Sequence, residues 1–238
     1  MSNTQTFSTT GPWTCPVGVT SVTAECWGGG ANGGSYFAYI EFPNVYTFCG
    51  GGGGGGAYAR KRGIPVTPGN SYTVTVGIAG GLSKFMGDSS SVCQAAGGSS
   101  PTGTYPANTY SGVGGSSIIG DIGFAGGDGG FGEQQVPAAG GGGAGAGSNL
   151  PGSNGMPGDA TGGGGAGAVG VDGGGSGGNG GSEYGPSKTP QPGTAPGGGG
   201  GGQNSGPVSV YTAGAAGSAG QVILTWGISL GQAIITTT

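Results

Sequence analysis

Glycine returns at every third residue over long parts of this chain, and that period admits few folds. It stands at 120, 123, 126, 129 and 132, at 152, 155 and 158, and at 164, 167, 170 and 173. It returns at 174, 177 and 180 and at 214, 217 and 220. A period of three fits neither an α-helix nor a β-strand. It fits polyproline II, which has three residues per turn and no internal hydrogen bonds. Every backbone N–H and C=O of such a helix needs an outside partner if it is buried. A neighbouring helix of the same kind supplies one only where no side chain holds the two backbones apart. Glycine on the inward edges allows that approach, while the third position carries a side chain outward. The expected structure is a bundle of glycine helices held by main-chain hydrogen bonds between runs.

Two other structures use much glycine. Collagen requires an unbroken Gly-X-Y repeat, and these runs break after three to five triplets. A disordered linker is the second, but disordered chains are normally rich in charge. Here charged residues are only 6% beside 69 glycines in 238 residues. Length allows one or two domains. Apolar content of 33% is low for one large core. The expected fold is therefore all-β with essentially no α-helix. A small β-sandwich, from residues 1–96 plus 220–238, carries a polyglycine-II slab over residues 97–219.

The strands are read from period-two alternation and turn residues. Residues 1–27 read as two strands, with turns at Gly11-Pro12 and Pro16-Val17-Gly18 and with Trp13 and Trp27 as core anchors. Ala57–Arg62 and Tyr72–Val76 read as strands on either side of the turn Pro68-Gly69-Asn70. Lys84–Met86 and Ser91–Ala96 are short candidates, and Gln221–Trp226 is a closing strand that should return to the N-terminal sheet. The glycine run 28–34 is interrupted by an aromatic insert, residues 35–48, and resumes at Gly50–Gly56.

Net charge is −4, and three of five basic residues are adjacent at Arg60, Lys61 and Arg62. No basic stripe can neutralise phosphates, so nucleic-acid binding is not expected. The basic triplet reads as a guard on a strand edge. The opening Met-Ser-Asn-Thr-Gln-Thr has neither a basic n-region nor an apolar h-region, so no signal peptide is expected. No run is long enough for a membrane span, and no membrane insertion is expected. Cys15, Cys26, Cys49 and Cys93 match no zinc spacing; free thiols and disulfides both remain open.

No catalytic constellation is present. The chain has no histidine, so a Ser-His-Asp or Cys-His arrangement cannot be built. Matches to G-x-G-x-x-G arise by chance at this glycine content, and none lies between a strand and a helix. Asp121 and Asp128 lie within glycine repeats but miss the calcium-binding pattern. They read as outward, solvated carboxylates, as do Glu133, Asp159, Asp172 and Glu183. No enzyme activity, cofactor or metal is expected. Recognition falls to aromatic and apolar residues. Tyr36, Phe37, Tyr39, Phe42, Tyr46 and Phe48 crowd into the insert, where partner contact, core packing and glycan contact are all open. Tyr105, Tyr110 and Tyr184 sit on or near loop tips. Ile234 and Ile235 close an apolar tail that begins at Ile228.

Four stretches resemble the glycine-rich domain found in phage tail and receptor-binding proteins. They are Trp13–Gly30, Gly50–Ala59, Val66–Gly77 and Gly217–Trp226, and they bracket nearly the whole chain. The resemblance implies a polyglycine-II slab whose loops touch a bacterial surface. It implies a non-catalytic virion component, such as a tail fibre, tail tip or receptor-binding protein, made in the host cytoplasm. Its partners would be other virion proteins and a host glycan or outer-membrane protein, and a homo-oligomer, by preference a trimer, is expected. The insert 35–48 and the tail 227–238 depart from the family pattern. A virion decoration or filament-forming protein without receptor binding, and an ice-binding polyglycine-II protein, are the alternatives. The terminal strands and aromatic insert argue against ice binding.

Overall fold

The computed structural model describes residues 2–41, 44–102, 111–132, 138–159, 164–182, 189–204 and 213–227, with side chains described outside 37–48. Twelve strands are present among them, and no α-helix. Two antiparallel five-stranded sheets face each other. The first contains β1 (Ser2–Phe7), β12 (Gln221–Gly227), β3 (Ser21–Trp27), β6 (Tyr58–Pro65) and β11 (Ile122–Phe124), in that order. The second contains β10 (Ile118–Ile119), β9 (Val92–Ala95), β8 (Ser83–Met86), β7 (Ser71–Thr75) and β2 (Gly11–Thr14). β4 (Phe37–Glu41) and β5 (Asn44–Phe48) pair with each other alone, as a hairpin within the aromatic insert.

Alternation builds the core between the sheets. Val22, Ala24 and Cys26 of β3 and Val222 and Leu224 of β12 are buried, and meet Trp13, Val74, Phe85 and Cys93 of the opposite sheet. Trp226 packs on the same cluster, its ring 5.4 Å from that of Trp13. The closing strand therefore returns to the opening ones, between β1 and β3. β6 takes one extra residue opposite β3, where the register shifts between Val22 and Ala24. Gly63 accommodates it at a φ of 63°, a left-handed conformation that costs glycine little.

Three readings of the sequence need correction. Residues 1–27 form three strands, not two: polar Ser2–Phe7 lacks a hydrophobic period but pairs along its length with β12. The glycine period over 120–132 begins inside the sandwich. Ile118–Ile119 pairs with β9 in one sheet and Ile122–Phe124 with β6 in the other, the chain crossing between them at Gly120 and Asp121, because Ile118 and Phe124 pack on apolar clusters that a glycine helix lacks. Arg60–Arg62 do not guard a free edge along their whole length. β11 covers β6 at Tyr58–Arg60, Lys61 lies 3.9 Å from the Asp121 carboxylate, and the Arg62 N–H donates to that carboxylate.

All four cysteines are free and buried. The Cys93 thiol bonds to the carbonyls of Ala24 and Ala59. Hydrogen bonding with Cys93, then burial, holds the Cys26 thiol well above its ordinary value. Burial and then the bond to Glu25 push the Tyr58 phenol up. Both groups have folded values raised above their unfolded ones. They stabilise the protein fully below the unfolded values, and that contribution fades as pH rises past them. Stability should therefore fall from about pH 9 upward, where free thiols begin to ionise. Urea midpoints at pH 7.5 and pH 10.5 should differ; equal midpoints would contradict these shifts.

Candidate binding end of the glycine bundle

Strands lead directly into the glycine bundle. β3 runs into 28–34, β9 into 96–99 and β11 into 125–132, while 50–57 and 214–220 run into β6 and β12. Within the bundle, donors cycle with period three. Gly52 and Gly55 donate to the carbonyls of Gly130 and Gly127, Gly53 and Gly56 to Gly200 and Gly197, and Gly54 and Ala57 to Ser99 and Ala96. Acceptors cycle likewise. The carbonyls of Gly52 and Gly55 accept from Gly112 and Gly115, those of Gly53 and Gly56 from Gly143 and Ala146, and those of Gly54 and Ala57 from Ala31 and Gly28. Run 50–57 thus has six hydrogen-bonded neighbours, three receiving and three giving.

Runs 138–147 and 196–203 also have six neighbours each, and the three runs bond to one another. Nine further runs close a ring around this triangle. In order they are 28–34, 96–99, 112–115, 125–132, 150–158, 164–170, 174–181, 191–194 and 214–220, each bonded to the next and the last to the first. This is hexagonal packing of three-residue-per-turn helices.

The ring explains the glycine pattern. In an interior run all three edges of each turn face a neighbour, so all three residues must be small. The interior runs contain the unbroken stretches Gly50–Gly56, Gly140–Gly143 and Gly197–Gly202. An outer run needs glycine only where it faces inward. A Cβ on Gly152, Gly155 or Gly158 would lie within 2.5 Å of the carbonyl oxygens of Ala144, Gly141 and Ala138 in turn, all on the interior run 138–147.

Outward side chains do more than face water. Each outer run has N–H groups aimed where a further run would lie, and neighbouring side chains cap them. Asp128 accepts from Gly114 N–H, Asn154 from Asp128 N–H, Ser176 from Gly170 N–H and Asn32 from Gly217 N–H. Asn179 accepts from Gly167 N–H and donates to Gln191. Replacing Asn179 with Ala removes both bonds and should cost about 1 kcal/mol. A urea midpoint within error of the unchanged protein would show that water substitutes for the cap.

The bundle has two unlike ends. At the sandwich end the connections are the described turns 147–152 and 170–174 and the segment 194–197. At the other end lie Gly34, Cys49, Gly132, Ala138, Ser182 and Asn204. The chain leaves that end for the insert, 133–137, 160–163, 183–188 and 205–212. Tyr36, Cys49 and Ala139 form a buried cluster there, and the Cys49 thiol donates to the Asn204 carbonyl at 3.4 Å. Asn204 is fully buried, and neither polar atom of its side chain has a partner among the described residues. Leaving such groups unpaired costs of order 1–3 kcal/mol.

The residues singled out for recognition scatter across these surroundings. Tyr36 is buried in the cluster, 6% exposed, and faces the bundle rather than solvent. Phe37, Tyr39, Tyr46 and Phe48 lie on the β4–β5 hairpin, placed by backbone alone. Phe42, Tyr105, Tyr110, Tyr184, Ile234 and Ile235 lie outside the described residues. Among the exposed apolar residues of the outer runs not singled out from the sequence are Val113, Phe131 and Met156, on the adjacent runs 112–115, 125–132 and 150–158. Their signal was the outward third position, which the glycine period marks on each side. No cluster of metal-ligating side chains occurs among the described residues.

A family model described as a glycine-rich domain matches residues 4–227. No curated protein matches the chain.

Proposed function

The chain belongs to the glycine-rich domain family, and from that premise we propose that it is a non-catalytic component of a tailed-phage virion that contacts the host surface through loops. One observation carries this reading: the polarity of the chain path. Ser2 pairs with Gly227 at the sandwich end farthest from the bundle, whereas Phe7 and Val222 lie beside it. The two ends of the described chain therefore sit together at one pole. Cys49, Ser182 and Asn204, beside which five segments leave the bundle, sit at the other. A rigid bundle between an attachment pole and a loop pole suits adhesion, because loops can vary while the main-chain lattice stays fixed. Other virion proteins would hold the sandwich pole. A host glycan or outer-membrane protein would meet the loops, with Tyr105, Tyr110 and Tyr184 as aromatic contacts.

The test is competition for adsorption. Purified chain, added to the bacterial host before infection, should block attachment of the phage. Joint replacement of Tyr105, Tyr110 and Tyr184 with Ala should weaken the block at least tenfold with an unchanged melting temperature. No block by the unmodified chain, together with no antibody labelling of purified particles, would sink this reading.

One observation favours a second reading, ice binding. Runs 174–181 and 191–194 carry two polar pairs, Thr194 with Ser176 and Gln191 with Asn179, joined by hydrogen bonds across the runs. Thermal hysteresis at micromolar protein would support it, and its absence would end it.

A further inference from the structure

We propose that β1 is an assembly edge, at which two copies of this chain pair antiparallel and join their first sheets into one. β1 spans six residues, Ser2–Phe7, and among the described residues has β12 as its only strand neighbour. Its opposite side presents a row of backbone donors and acceptors, which only another extended backbone matches well. Proteins normally blunt such an edge with Pro, Lys, a bulge or brevity. Every other edge of the two main sheets is blunted in one of these ways. β11 has three residues and lies beside the Lys61–Asp121 ion pair, β10 has two residues, and β2 has four with Pro12 among them. β1 has no Pro, no Gly and no charge, and pairs with β12 residue for residue without a bulge.

A second copy of β1 is the occupant that this strand itself describes. In a chain of net charge −4, the uncharged Ser-Asn-Thr-Gln-Thr stretch is a place where two copies meet without like-charge repulsion. An antiparallel pair about a twofold axis sets one residue opposite itself: Thr4 opposite Thr4, with Asn3 opposite Gln5 and Ser2 opposite Thr6. Hydroxyl and amide side chains at such positions bond across strands. Thr4 does so already on its other side, 3.4 Å from the Thr225 hydroxyl. The edge lies at the pole away from the loops, so pairing there leaves the loop pole of each copy free.

The experiment uses charge at the edge. The unmodified chain, 22.0 kDa, should sediment as a dimer at tens of micromolar. Thr4→Lys/Gln5→Lys sets Lys opposite Lys at the twofold axis, with two more lysines one residue away, and should sediment as a monomer. Thr4→Glu/Gln5→Glu should do the same. Mixing the two variants should restore a dimer, which loss of folding could not produce. Both positions are exposed, so melting temperatures should stay near that of the unmodified chain. An unmodified chain that remains monomeric overturns the proposal. So does a dimer that survives both double substitutions, or one that disappears only when residues 228–238 are removed, which would place the contact in the tail.

Discussion

Gly53→Val is expected to leave no cooperatively folded protein. A Cβ at Gly53 would stand 2.2 Å from the Ala31 carbonyl oxygen and 2.6 Å from that of Asn32. Both are backbone atoms, unable to turn aside as a side chain could, and the Ala31 carbonyl is itself held by the Gly200 N–H. Run 50–57 would have to move, yet it is bonded on all six sides. Gly53 donates to Gly200 and accepts from Gly143, so displacement strands donors and acceptors on two other interior runs. Each stranded group costs about 1–3 kcal/mol, against a total stability of roughly 5–15 kcal/mol for an ordinary domain. Gly11→Ala is the comparison, because a Cβ there meets nothing within 4 Å. It should change stability by no more than about 0.5 kcal/mol. On the outer ring, Gly126→Val should also be severe, its Cβ falling 2.1 Å from the Gly55 oxygen. Asp128→Asn should be mild, since an amide oxygen still accepts from Gly114. A melting temperature for Gly53→Val within a few degrees of the unmodified chain would show that the lattice is not what holds the bundle.

Removal of residues 220–238 should likewise abolish folding. β12 is not an edge strand. It pairs with β1 over six positions and with β3 over five, so its loss isolates β1 and exposes the flank of β3. It also removes Val222 and Leu224, both fully buried, and takes Trp226 from Trp13. Truncating one large core side chain typically costs about 2–5 kcal/mol, and here three leave together. Gly220, whose N–H bonds to the Gly77 carbonyl between sandwich and bundle, goes with them. A chain stopped after Gly227 retains β12 and separates this effect from any effect of the tail. Circular dichroism and amide exchange would decide: a 1–219 chain that stays soluble, monomeric and protected across the bundle would refute the dependence.

Much of the sandwich was legible in the sequence. Val22, Ala24 and Cys26 alternate with polar residues, and that alternation marks the buried face of β3 wherever the strand pairs. Trp13 and Trp27 are the anchors the sequence offers, but only Trp13 sits in the sandwich core, whereas Trp27 packs with Tyr58 and Ala146 in a separate cluster. β1 was not legible. Ser2–Thr6 are exposed on both faces and only Phe7 packs on the core, so pairing with β12 is what makes them a strand. The candidate binding end was legible only as a set of aromatic residues. Nothing in the sequence distinguishes Tyr36, which the fold buries, from its neighbours in the insert.

The sequence by itself determined that extended runs must hydrogen-bond to one another. A period of three leaves no internal partners, and glycine removes what would keep backbones apart. Even the interior positions are written there, since Gly50–Gly56 and Gly197–Gly202 leave no room for an outward side chain and have no outward face to need one. Only the tertiary structure decided which run lies beside which. Contacts between glycine backbones are chemically alike, so run 50–57 could bond equally well to any neighbour of suitable length. Side-chain caps and strand pairing break that degeneracy. The caps close N–H groups on outer runs, as Asn179 does for Gly167. Pairing among β3, β6 and β12 fixes where runs 28–34, 50–57 and 214–220 enter or leave the bundle.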